Sequence, residues 1–169
     1  MSVSLSTKYY LQALEAYPYD LTETIESLSY ALSYDKEHAG AHCLYGQLYM
    51  EKLRQFGKAE YHFEQALLSD FSYVVTYEYY SLLLIHIQDY KKAMKLIQYA
   101  YSLKGVNHSV MMHREALISE RQKLYNRARK LMQNAYKESC DEESRRFLKD
   151  ELERVKSKFK EKKKKKSEK

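Results

Sequence analysis

The chain has 169 residues with a formal net charge of +6, 44% hydrophobic and 31% charged residues, 4 Gly and 1 Pro. That length buries a core without disulfides or metal, and so little Gly and Pro excludes a turn-dense β fold in favour of helices. Cys43 and Cys140 show no CxxC spacing, no basic leader precedes an apolar run, and no run of about 18 apolar residues occurs, which together predict a soluble cytoplasmic protein.

In chain order the first unit is weak. Leu11 with Gln12 stands in its first-helix position, Pro18 breaks the chain, and Asp20 with Glu23 has capping-box spacing. The helix that follows carries Leu21, Thr24, Leu28 and Ala31 on one face, and Ile25 adds a further apolar residue to it.

Three clearer units follow, over residues 39 to 72, 74 to 107 and 109 to 138, each a first helix A and a second helix B. The B helices carry Phe56, Ala59, Phe63 and Ala66; then Tyr90, Ala93, Ile97 and Ala100; then Tyr125, Ala128, Met132 and Ala135. Two small residues seven apart with a bulky one between share one helix face, tight at two points and filled between them. Ala66 and Ala100 are 34 apart, Ala100 and Ala135 are 35 apart. The A helices carry their own small residue, Gly46, Ser81 and Ala116, at 35-residue intervals. Small residues let helices approach, and bulky neighbours such as Tyr45, Leu48, Tyr80 and Leu83 fill the flanks. In the last unit Glu115 and Ser119 stand where bulky residues are expected, which predicts looser packing.

Beyond the units, Ser139 with Glu142 has capping-box spacing, and Leu148, Leu152, Val155 and Phe159 recur at helical intervals. Residues 141 to 160 therefore read as an amphipathic helix capping the last hairpin. Asp89 precedes a helix B, and Lys104-Gly105 reads as a helix end. Residues 156 to 169 hold nine Lys against two Glu, a net of +7 that leaves the body at −1. Like charges this dense predict disorder over 161 to 169.

A small residue in helix A, an aromatic opening helix B, then Ala, a bulky residue and Ala at a period near 34 resembles the tetratricopeptide repeat (TPR) family. The resemblance covers residues 39 to 138 clearly and the upstream unit weakly. It departs from the family at His42, Tyr77 and Met112, where an early aromatic is usual, and at Phe71 and Gly105, where proline is usual. It implies an all-α fold: a right-handed α-solenoid of about four TPR-like hairpins with a C-terminal capping helix, the repeat domain spanning 1 to 160.

In that family the inner faces of the A helices line a groove that holds a peptide or helix of a partner protein. The resemblance carries this role to Cys43, Gln47 and Met50; to Glu78, Leu82 and His86; and to His113, Leu117, Glu120 and Arg121. Tyr79, pointing to another face than Tyr73, Tyr77 and Tyr80, is added as a ligand contact. Glu78 stands where a chaperone-tail clamp needs a cation, so that clamp is not expected.

Catalysis finds no footing in the sequence, which has no Gly-rich phosphate loop, GxSxG or HExxH. His38 and His42 have helical metal-ligand spacing but no third ligand follows, so neither metal nor cofactor is expected. The tail offers Lys160, Lys162, Lys163, Lys164, Lys165 and Lys166 as anion contacts, an alternative function being nonspecific binding to RNA, ribosomes or an anionic membrane. Size and repeat also match small secretion-type TPR chaperones.

Overall fold

A computed structural model describes residues 3 to 167, with side chains from 3 to 160. Among the described residues all regular structure is helical: α1 (Leu5–Ala16), α2 (Leu21–Tyr34), α3 (Ala39–Glu51), α4 (Phe56–Ser69), α5 (Val74–His86), α6 (Tyr90–Ala100), α7 (His108–Arg121), α8 (Tyr125–Glu138) and α9 (Glu142–Ser167). The chain divides into two compact units, Met1–Leu83 and Leu84–Lys169, with the boundary inside α5.

In the first unit α1 pairs with α2, and α3 with α4. The small-residue rule holds to the atom. A Cβ on Gly46 would lie 2.5 Å from the Phe63 ring, and Phe63 is fully buried between Ala59 and Ala66, both 0% exposed. In the weak hairpin the buried small residue is Ala13, while Leu11 and Gln12 are exposed, so the first-helix register expected from the sequence is displaced. The cause is spacing: Ala13 lies 33 residues before Gly46 rather than 35. Thr24, Leu28 and Ala31 are fully buried as expected, but Ile25 faces outward.

In the second unit α7 pairs with α8, and α9 packs on α8. Its core joins Ala116, Ala128, Met132 and Ala135 to Leu148, Leu152 and Val155 of α9. The two polar residues expected to loosen this hairpin, Glu115 and Ser119, both have partners. Ser119 is buried with its hydroxyl donating to the Glu115 carbonyl, and the Glu115 carboxylate pairs with Arg127 of α8. Ser6 in α1 and Ser109 in α7 do equivalent work, donating to the carbonyls of Ala31 (2.9 Å) and Ala135 (2.7 Å) near the ends of the partner helices.

Three A-to-B turns hold a non-glycine residue in the left-handed region, Arg54 (φ 55°), Gln88 (φ 67°) and Lys123 (φ 62°). After α5 the Asp89 N–H reaches the Leu84 carbonyl (2.9 Å) and Gln88 reaches Ile85 (3.2 Å). After α7, Leu124 reaches Ser119 (2.8 Å) and Lys123 reaches Glu120 (2.9 Å). These paired closures are Schellman motifs, which satisfy the last helical carbonyls. After α3 the Gln55 N–H reaches back to Tyr49 (2.9 Å), one residue further than in the other two turns. That extra residue moves α4 forward in sequence, which is why helix A landmarks keep a spacing of 35 while Ala66 and Ala100 are 34 apart.

Helix starts follow the acceptor chemistry. Asp20 and Asp89 cap α2 and α6 through the N–H groups of Glu23 and Lys92, each at 2.9 Å. His38 caps α3 through its ring Nδ1, which accepts from Ala41 (3.1 Å). For α9 the cap is Asp141, accepting from Ser144 (2.7 Å), and not Ser139 as the spacing suggested. A carboxylate three residues before a free N–H outcompetes a hydroxyl two residues too early. Helix α6 ends at Ala100, before Lys104-Gly105, and Gly105 (φ 85°) turns the loop that follows. The backbone of α9 continues past residue 160 to Ser167, and the side chains of Lys162, Lys163, Lys164, Lys165 and Lys166 lie outside the described residues.

Candidate functional site

The A-helix positions singled out in the sequence form registers 35 apart: Cys43, Glu78 and His113, then Gln47, Leu82 and Leu117. In the first unit, Cys43, Gln47 and Met50 of α3 are buried rather than displayed. The Gln47 amide donates to the Cys43 sulfur (3.6 Å), and burial pushes the thiol pKa up to about 11, so it is an unreactive packing residue. On α5, Glu78, Tyr79 and Leu82 are half-buried and His86 is exposed.

Around α3 the surface is aromatic and pinned by hydroxyls. Tyr10 and Tyr73 bond through their hydroxyls (3.1 Å), and Tyr17 donates to the Glu51 carboxylate (2.6 Å). His42 and His62 bond Nδ1 to Nδ1 at 3.0 Å. His42 also reaches the Lys36 carbonyl through Nε2 (2.9 Å), which requires an N–H there. Its Nδ1 is therefore the acceptor, and His62 supplies the hydrogen. Burial lowers both pKa values, that of His62 to about 4, so the pair is neutral. His38 is occupied as a cap, and among the described residues no group of three His, Cys, Asp or Glu could hold a metal.

In the second unit, α9 lies against the candidate face of α7. Glu120 is 9% exposed, and its carboxylate accepts from both terminal nitrogens of Arg154 and from Lys158 (2.7 Å). Burial pushes the Glu120 carboxyl up, but the hydrogen bonds from Arg154 and Lys158 outweigh it and hold the pKa below the usual value. Arg154 also bridges to Glu151 (2.7 Å). His113 is buried, with its Nδ1 accepting from Arg114 (3.1 Å) and Phe147 of α9 edge-on to its ring. Burial, reinforced by the Arg114 charge, lowers the His113 pKa to about 4.

Between α7, the turn after it and α9 lies a recess of about 340 Å³ lined by Leu117, Glu120, Arg121, Lys123, Tyr125, Arg154 and Lys158. It gathers three of the sequence-predicted residues: half-buried Leu117, buried Glu120 and exposed Arg121. Lys123, Arg154 and Lys158 were not foreseen as site residues. The apolar stripe dominates the periodicity of α9, yet Glu151, Arg154 and Lys158 recur at three and four and share another face of that helix. Of the tail set, Lys160 is exposed.

No helix among the described residues is long and apolar enough to cross a membrane. Fold and surface define an all-helical protein built from a recurring helical pattern. Compared with known proteins, the chain matches no family model and no curated protein.

Proposed function

We propose that this chain is a non-enzymatic interaction module of the TPR type, a right-handed solenoid of about four hairpins whose A-helix faces hold a peptide or helix of a partner protein. The observation that carries the reading is the pair Leu82 and Leu117, two half-buried leucines at the same repeat position. Apolar side chains held part-open at a recurring position favour cover by another chain. Half-buried Tyr79 and exposed His86 and Arg121 supply polar contacts beside them. The test is affinity capture with the full chain, comparing wild type with Leu82→Glu and Leu117→Glu together. Loss of partners with the fold retained supports the reading, and an unchanged set of partners contradicts it.

A second reading rests on the nine lysines among the last fourteen residues. Contacts to a nucleic acid or an anionic membrane would show a steep salt dependence, with a log–log slope of about −0.7 to −0.9 per phosphate contact on nucleic acid. Ending the chain after Phe159 removes that binding if the tail carries it.

A further inference from the structure

Charge is divided unevenly between the two units. Residues 1 to 83 hold eleven carboxylates against five Lys and Arg, a net of −6, while residues 84 to 169 hold twelve against twenty-four, a net of +12. The first hairpin is the sharper case, with six carboxylates against two Lys over residues 1 to 38. On α2, Glu23, Glu26, Tyr30 and Tyr34 recur at three, four and four and share one face. Tyr30 and Tyr34 are 54% and 56% exposed, and Tyr9 of α1 packs beside both, its ring centroid 5.1 Å from Tyr30 and 5.7 Å from Tyr34. Elsewhere in this unit cations sit over rings: Lys52 over Tyr17, Arg54 over Phe56 and Lys58 over Tyr49. Among the described residues none lies over Tyr9, Tyr30 or Tyr34, and no cation pairs with Glu23 or Glu26. Helix-dipole chemistry accounts for Glu23 in the first turn of α2. It does not account for Glu26 or for the exposed rings that follow it.

We propose that this face of α1 and α2 receives the lysine-rich end of α9 from a second copy of the chain. The occupant follows from charge: pairing like units would set −6 against −6 or +12 against +12, whereas unlike units attract, so copies meet head to tail. The nine Lys and two Glu of residues 156 to 169 concentrate the positive side of that contact. Lysine suits this surface in two ways, since its ammonium meets carboxylates and ring faces while its methylene stem covers exposed tyrosine. The α9 backbone stays helical from Val155, packed in the core, to Ser167. A run borne on a continuing helix cannot double back as a loose strand could, which favours a second molecule over the chain's own first unit. A nucleic acid, being anionic, is repelled by this face. Because face and tail differ, the contact is heterologous and each bound copy still offers one of each, so assembly grows with concentration instead of stopping at a dimer.

The test is sedimentation of the nuclease-treated full chain across protein concentration. At low salt, on the order of 0.05 M, the average mass should rise steadily above that of one copy. At about 0.5 M, where screening shortens the reach of charge to a few ångströms, association should weaken about tenfold or more. E23Q with E26K, and separately Lys162 through Lys166 changed to Gln, should each weaken it about tenfold or more with helicity unchanged. The second variant leaves the first unit untouched. An equimolar mixture of the two should form a dimer of one copy each and stop there, because one supplies the intact tail and the other the intact face. Leu82→Glu with Leu117→Glu should associate as wild type does, which separates this contact from the groove. The proposal is overturned if the wild type stays a single copy at low salt, as it would if the tail served its own chain. It is equally overturned if association ignores salt, if either charge variant associates like wild type, or if the mixture fails to pair. Loss of association in the leucine variant alone would move the contact to the groove and overturn it too.

Discussion

Gly46 and Phe63 meet so closely that the space for a single methyl group is already taken: a Cβ on Gly46 would sit 2.5 Å from the ring. The ring has nowhere to retreat, because it is 0% exposed and stacks on Tyr80 with centroids 5.6 Å apart. Gly46→Ala gains roughly 1 kcal/mol of helix propensity. Overpacking costs about 1–3 kcal/mol and wins. Urea unfolding should show Gly46→Ala destabilised by up to about 2 kcal/mol, the overpacking cost less the propensity gain. In a Phe63→Leu background the same substitution should cost less by about 1 kcal/mol or more, the coupling expected of residues in contact. Equal cost in both backgrounds would mean the contact does not limit the packing.

The left-handed turn residues give a change of opposite sign. Gln88 and Lys123 occupy the position where a Schellman motif favours glycine, and an L side chain there costs about 1–2 kcal/mol. Gln88→Gly and Lys123→Gly should each raise the urea midpoint with the slope unchanged, worth about 0.5–1 kcal/mol after the extra unfolded-state entropy of glycine is deducted. Gln88→Val should lower it.

What the sequence made legible and what it hid divide along a physical line. Contacts that demand a particular size at a fixed helical interval were readable: Ala59, Phe63 and Ala66, and their equivalents through Met132 and Ala135, are all buried as expected. Register in the first hairpin was not, since Ala13 has no 35-residue partner and no flanking pattern to distinguish it from Leu11 and Gln12. The caps Asp20 and Asp89 were readable, whereas at α9 the spacing pointed two residues early, to Ser139 in place of Asp141. The recess was hidden because Glu120 finds Arg154 and Lys158 at separations of 34 and 38, and ion pairs over that range leave no periodic trace.

Acid should loosen the second unit. The folded-state pKa of His113 is about 4, below the ordinary value of 6.5, because the buried ring resists charging. The unfolded chain therefore binds the proton more readily. The stability that follows is fully present above pH 6.5 and is lost as pH falls toward 4, by about 3 kcal/mol for this residue. His62 acts in the same direction in the first unit. Thermal unfolding from pH 7 to 4 should show Tm falling, and His113→Asn should flatten part of that fall. An identical pH profile in the variant would remove His113 as its source.

Glu120 ties α9 to α7 through Arg154 and Lys158, a junction only partly shielded from water, since Arg154 is 37% exposed. Glu120→Gln keeps the shape but weakens charged hydrogen bonds worth about 1–3 kcal/mol together after solvent screening. Hydrogen exchange should quicken in α9 more than in α8, whose burial of Ala128, Met132 and Ala135 is untouched. Uniform acceleration across both helices would show that the ion pairs hold no particular element.

The central claim is the proposal that Leu82 in the first unit and Leu117 in the second are each covered by another protein. Its most direct measurement is affinity capture with the full chain in three forms: wild type, Leu82→Glu with Leu117→Glu, and Lys162 through Lys166 changed to Gln, each checked for unchanged helicity and Tm. The account predicts that the leucine variant loses specific partners while the tail variant keeps them. Partners retained by the leucine variant and lost by the tail variant would contradict it and assign binding to the lysines.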